Sequence, residues 1–133
     1  MSQIDKVLFI PRRIFSDDRG WFLKVITGKE DNLPSHTGEV YLTMGNPGEK
    51  KGGHYHPLAL EWFTVVKGKC TFNLEDVETK EKKTFDLSFD DAKSVFIPNN
   101  VAHSFTNCGT NEMILVAYTD QLYNPDDTIA YNI

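Results

Sequence analysis

Apolar residues in this chain recur with a period of two, and no window of a dozen residues holds a period of 3.6. That pattern restricts the chain to β-structure, because side chains alternate between the two faces of a strand. The runs Val7–Ile10, Trp21–Ile26, Val40–Met44, Trp62–Val66, Cys70–Leu74, Ser94–Ile97 and Met113–Tyr118 read as strands, short and rich in β-branched and aromatic residues. Turn signals separate them: Asp18-Arg19-Gly20, Asn46-Pro47-Gly48, Lys67-Gly68, Pro98-Asn99-Asn100 and Asn107-Cys108-Gly109. The expectation is an all-β sandwich or barrel of about eight to ten strands. With 133 residues and no linker, repeat or low-complexity tract, residues 1–133 form one domain that buries its own core.

Charge and composition remove several function classes. The net charge is −5 and no segment carries a basic stripe, so nucleic acid is not an expected partner. The charged run Glu75–Lys83 mixes both signs and reads as a solvated hairpin tip. No apolar run approaches bilayer-spanning length, and Met1–Lys6 lacks the apolar centre of a secretion signal. No membrane partner is expected, and a cytoplasmic address follows. Cys70 and Cys108 have no framework spacing and read as two half-buried free thiols.

The stretch Gly52-Gly53-His54-Tyr55-His56-Pro57 carries the chemistry. His54 and His56, two apart on a strand, project from one face. Pro57 lacks a backbone donor and ends that strand, so Leu58-Ala59-Leu60 turns the chain and returns Glu61 beside the histidines. The proline turn at Pro98 delivers His103 at the head of another strand. His54, His56, Glu61 and His103 make a competent ligand set for Zn, Fe, Mn or Ni. The same imidazoles are natural bases near neutral pH, and the two roles compete for one lone pair. Gly52 and Gly53 are read as places where a bulky ligand approaches the backbone closely.

These residues also carry a resemblance. Gly48, His54-x-His56, Glu61 and Gly68 are similar to the first motif of the cupin superfamily. Pro98-x-Asn100-x-x-His103-x-x-x-Asn107 resembles the second, with Asn100 at a glycine position and Ala92 where the motif opens on glycine. Pro11 to Phe22 resembles the opening of dTDP-4-dehydrorhamnose 3,5-epimerases, and Lys51-Gly52-Gly53-His54-Tyr55-His56 resembles dTDP-sugar 3,4-ketoisomerases. The tail from Tyr118 to Asp127 is similar to both groups. Two departures stand out. The catalytic tyrosine of the epimerases has no counterpart near Val116, and Lys51 replaces the ketoisomerase arginine, keeping charge but losing the planar fork.

The resemblance implies a cupin jelly-roll barrel and proton transfer next to the ketone of a nucleotide-diphosphate-linked 4-keto-6-deoxyhexose, by epimerisation or ketoisomerisation. It implies His54 as base with His56 beside it, and Tyr41 is a candidate orienter or proton donor. Arg19 and Lys51 are candidates for the diphosphate, and Tyr118 and Tyr123 for further substrate contacts. The cofactor expectation is either none or one divalent metal. The apolar first strands and the resembled families imply a homodimer. Two other readings stay open: a metal-dependent cupin enzyme on another small molecule (a dioxygenase or a sugar isomerase), and a non-catalytic sugar-binding cupin.

Overall fold

In the computed structural model, which describes residues 2–34 and 37–133, the chain is all-β with two short 3₁₀ turns, Gln3–Lys6 and Pro125–Asp127. The strands are β1 (Leu8–Pro11), β2 (Ile14–Asp17), β3 (Gly20–Leu23), β4 (Val40–Gly45), β5 (Lys50–Tyr55) and β6 (Glu61–Lys67). They continue with β7 (Lys69–Asp76), β8 (Lys82–Ser88), β9 (Lys93–Ile97), β10 (Val101–Asn107), β11 (Met113–Thr119) and β12 (Ile129–Ala130). Two five-stranded antiparallel sheets, ordered β1-β9-β6-β11-β4 and β12-β5-β10-β7-β8, pack face to face, and β2-β3 form a separate hairpin. This is the expected jelly roll.

Alternation builds the core. Cys70, Phe72 and Leu74 of β7 point inward and meet Phe63 and Val65 of β6, Phe105 of β10, and Met113, Leu115 and Ala117 of β11. Aromatic rings fill the centre: Phe72 stacks on Phe105 at 5.2 Å, and Phe63 lies 5.8 Å from Phe72. Phe63 also stands 5.6 Å from the His103 ring, so the apolar core ends where the histidines begin. Cys70 is fully buried and Cys108 is exposed, rather than both being half-buried, and both are free thiols.

The first sheet is covered on its outer face as well, which is why β6 reads as an unbroken apolar run. The expected strand Trp21–Ile26 stops at Leu23. Beyond it, Ile26 and Leu33 pack with Ile10 and Leu60 onto Trp62, Phe96 and Tyr118. A buried ion pair pins this segment: Arg12 Nη2 lies 2.8 Å from Glu30 Oε1, and both side chains are more than nine-tenths buried. Arg12 Nε donates to Ser94 Oγ at 3.0 Å, and the Ser94 hydroxyl lies 2.6 Å from Thr64 Oγ1. Burial works against the Glu30 carboxylate. The Thr27 and Gly28 amides, the Thr27 hydroxyl and Arg12 more than offset it, holding the group at about 2.

Glu30→Gln is expected to lower unfolding stability by about 1–3 kcal/mol at neutral pH, because charge-assisted bonds to a buried acceptor are lost. A folded-state pKa depressed below the ordinary 4.5 contributes stability above that value, and the contribution fades as pH falls through about 2. Urea melts at pH 7 and pH 2 should therefore show the gap between variant and parent narrowing in acid. An equal gap at both pH values would refute the assignment.

Candidate active site

The two sheets separate at one end into a cavity of about 300 Å³. Its lining includes Glu39, Tyr41, His54, His56, Glu61 and Thr119, with Leu122, Tyr123 and Asp127 from the segment that follows β11. Strand register gathers these residues. His54 of β5 and His103 of β10 are direct cross-strand partners on the inner face, with ring centroids 5.0 Å apart. His56 follows two residues on, 4.9 Å from His54. One nitrogen from each of the three rings lies within 4.8 Å of the others. Glu61 enters from the facing sheet, its Oε1 standing 3.1 Å from His56 Nε2 and 3.2 Å from His103 Nε2. The four residues named as a ligand set thus converge at one point, with Glu61 touching two of the three imidazoles.

Backbone carbonyls fix two of the tautomers. His56 Nδ1 is 2.8 Å from the Asp127 carbonyl, and His103 Nδ1 is 3.1 Å from the Val101 carbonyl. Each Nδ1 therefore carries a hydrogen, and each Nε2 turns inward. Asp127 does more than this. Its carboxylate accepts from the amides of Leu58 and Ala59 at 2.8 and 3.1 Å, tying the β5–β6 loop to the C-terminal segment.

Electrostatics sort the ring charges. Burial pushes His54 down to about 4, and the neighbouring His103 and His56 add to the effect, so it is a neutral imidazole at pH 7. Burial also lowers His103, which Glu61 only partly offsets. For His56 burial is outweighed by Glu61 and the Asp127 carbonyl, which raise it. Burial alone would neutralise Glu61, yet His103 and His56 hold it below the ordinary carboxylate range. Burial and the charges of Glu61 and Glu39 push Tyr41 up, so its phenol stays protonated.

The glycines before His54 serve the backbone rather than a ligand. Gly52 has φ +85°, and a Cβ there would stand 2.8 Å from the His103 carbonyl oxygen. The β10–β5 register shifts at this point, a bulge that sets His54 opposite His103. Asn100, at the motif's glycine position, sits at φ 61°, a conformation asparagine tolerates. Its amide donates to the His56 carbonyl at 2.9 Å.

Other expected contacts lie elsewhere. Tyr118 faces outward and stacks on Trp62 at 5.2 Å, because its neighbour Thr119 takes the inward position. Arg19 is on the exposed β2–β3 turn, paired with Asp17 at 2.6 Å. The Lys51 ammonium donates to the Met44 carbonyl at 3.1 Å. Tyr123 does line the cavity, at its mouth. Among the described residues no lysine or arginine lines it. Sequence reading missed Glu39 and Asp127. Glu39 was legible as the residue two before Tyr41, and therefore on its face. Asp127 bears no such signal.

A jelly roll with His-x-His, Glu and His gathered at one end is a cupin. The chain belongs to the Polysaccharide biosynthesis C-terminal domain family, whose sequence pattern matches residues 15–131. It is 31% identical over 116 residues to the spore coat polysaccharide biosynthesis protein SpsL of Bacillus subtilis, across 84% of this chain and 76% of that one. It is 27% identical over 114 residues to a UDP-2-acetamido-2,6-beta-L-arabino-hexul-4-ose reductase of Pseudomonas aeruginosa, matching 84% of this chain but only 29% of that protein. The fold superposes on the crystal structure of a dTDP sugar isomerase from Desulfovibrio desulfuricans with a TM-score of 0.89. That likeness spans 98% of this chain and 86% of the other at 19% identity. Among the described residues no helix is long and apolar enough to cross a membrane.

Gly52→Ala is expected to disturb the site from behind. A positive φ and a backbone clash together cost on the order of 1–3 kcal/mol. Thermal unfolding should move down by several degrees, and the His54 and His103 ring resonances should shift in NMR. Unchanged spectra and melting would refute the bulge's role.

Proposed function

We propose that this chain is a sugar-nucleotide epimerase or ketoisomerase. It acts on a nucleotide-diphosphate-linked 4-keto-6-deoxyhexose in deoxysugar or surface-polysaccharide biosynthesis, moving a proton on a carbon beside the ketone. The observation that carries this reading is a cluster of three imidazoles, His54 among them neutral at pH 7, backed by a buried carboxylate at the floor of an open cavity. A hydrogen beside a ketone is acidified, and its removal needs a base, a donor to the developing oxyanion and a route for proton return. The relatives support the substrate class: one is a spore coat polysaccharide biosynthesis protein, and another is named for a UDP-linked hexos-4-ulose. The cavity is small and, among the described residues, lined by no lysine or arginine, so it suits the hexose ring, with the diphosphate at or beyond the mouth near Tyr123.

The cluster also fits a divalent metal ion. With both Nδ1 hydrogens given to carbonyls, the Nε2 lone pairs of His56 and His103 turn toward the Glu61 carboxylate, 3.1 and 3.2 Å away. A lone pair facing an anion at 3.1 Å calls for a cation between them, either a proton or a metal. His54, His56, His103 and Glu61 would hold the metal, and carbonyls behind the rings are what such ligands require. A bound divalent ion supplies polarisation of a carbonyl oxygen. A nitrogen committed to it takes no proton, so His54 serves as base only in a metal-free site.

Incubation with thymidine- and uridine-diphosphate-linked 4-keto hexoses in deuterated water should show deuterium entering the carbon next to the ketone. Oxygen uptake without exchange would favour a dioxygenase instead, and tight binding without exchange a sugar-binding module. Elemental analysis of tag-free, reconstituted protein should find one metal per chain, sharply reduced in His103→Ala. No stoichiometric metal in the parent would sink the metal centre.

The chain is further proposed to be a homodimer. Val40 and Leu42, 61% and 69% exposed on edge strand β4, together with Trp21 and Phe22 on the β2–β3 hairpin, leave apolar surface that a second copy would cover. Light scattering at micromolar concentration should return the mass of two chains, and the mass of one would count against it.

A further inference from the structure

Where His54, His56, His103 and Glu61 hold a divalent ion, the group that takes the carbon-bound proton comes from elsewhere in the cavity. The ionisable residues of the lining are Glu39, Tyr41, His54, His56, Glu61, Tyr123 and Asp127. Asp127's carboxylate is engaged with two amides, and Glu61 faces His56 and His103. Tyr41 and Tyr123 are phenols, and a phenol is not a base near neutral pH. One carboxylate is left.

Glu39 immediately precedes β4. Its amide donates to the Thr119 carbonyl at 3.2 Å, and the Thr119 amide donates back to the Glu39 carbonyl at 2.9 Å, so the β4–β11 ladder extends through Glu39. Thr119 in turn is the partner of Glu61 on β6. Glu39, Thr119 and Glu61 therefore form one inward-facing row across three neighbouring strands, and all three line the cavity. Directly opposite Cβ atoms on neighbouring strands are about 5 Å apart, so the Cβ atoms of the two glutamates are about 10 Å apart with Thr119 between them. Tyr41 lies two residues further along β4 on the same face, above Ala117, whose small side chain leaves the room. Among the described residues nothing donates to the Glu39 carboxylate, and its side chain is half-buried at the cavity wall.

We propose that Glu39 is the catalytic base, abstracting the proton beside the ketone from the cavity wall formed by β4, while the histidines and Glu61 hold the cation. In this step the C–H bond breaks and its electron pair becomes the double bond to the carbonyl carbon. The carbonyl π pair moves onto oxygen, and the proton forms an O–H bond on Glu39. Return of that proton, or of one exchanged with solvent, reverses the electron flow and regenerates the carboxylate. Tyr41, protonated beside it, donates a hydrogen bond to the developing oxyanion or to a neighbouring hydroxyl. The assignment rests on reading the cavity as a proton-transfer site, and it supplies the acid–base group that Val116, outward-facing on β11, does not.

The test compares Glu39→Gln, Glu39→Asp and the parent with the same two 4-keto probes in deuterated water. Metal content and circular dichroism are measured on every sample. Glu39→Gln is nearly isosteric and should keep the parent's fold and metal stoichiometry while deuterium entry falls by at least about a hundredfold. Glu39→Asp should retain a measurable part of the rate, which a merely structural role would not produce. A folded, metal-loaded Glu39→Gln variant exchanging at the parental rate would overturn the assignment. So would a metal-free parent whose exchange is abolished by His54→Asn and untouched by Glu39→Gln, since His54 is then the base. No exchange by the parent with either probe would overturn the proton-transfer reading itself, and this assignment with it.

Discussion

A buried carboxylate is the costliest single group in this interior, and the upper half of the barrel is arranged around it. Glu61 is 4% exposed, and an unpaired charge at such depth costs several kcal/mol. Two imidazoles stand within 3.2 Å of it, and their own orientation is set by carbonyls from Asp127 and Val101. The carbonyl of Asp127 is held in turn by its side chain, which fastens the loop between β5 and β6. One charge thus draws β5, β6, β10 and the C-terminal segment to a single point. The apolar half below, from Phe63 to Met113, supplies most of the hydrophobic stabilisation, and little of it depends on that point.

The architecture was legible because alternation is a strong signal where one face is buried. Cys70, Phe72 and Leu74 alternate cleanly, and so do the strands they pair with. Legibility failed where tertiary contacts overrode local pattern. Ile26 looks like the end of a strand, yet Trp62 and its neighbours offer it an apolar surface on the outside of the sheet. The strand ending at Pro57 was legible from His54 and His56, but not the bulge at its glycines that brings His54 opposite His103. Tyr118 carried the right chemistry on the wrong face, a one-residue difference that no composition argument detects. The ligand set His54, His56, Glu61 and His103 was legible because its spacing obeys the strand period. Glu39 matches no motif; its place two before Tyr41 and its pairing with Thr119 put it on the cavity face.

The family places this chemistry in context. The chain accounts for most of a spore coat polysaccharide protein's length but less than a third of a UDP-sugar reductase. The matching sequence therefore makes up most of one relative and a minor part of a much longer one. What the two share with this protein is the sequence over 84% of its length.

One consequence follows from the alternation in β4. Tyr41, with Glu39 just before the strand, forms a wall of the cavity, while the outward residues Val40, Leu42 and Met44 present an apolar stripe to solvent on the same strand. As an edge strand it is hydrogen-bonded, among the described residues, on one side only, to β11. Any partner that grips the outer stripe loads the backbone carrying the inner wall, and any ligand that orders the inner wall stiffens the surface the partner grips. Association and ligand binding then share a free-energy term, and by linkage each strengthens or weakens the other by the same factor.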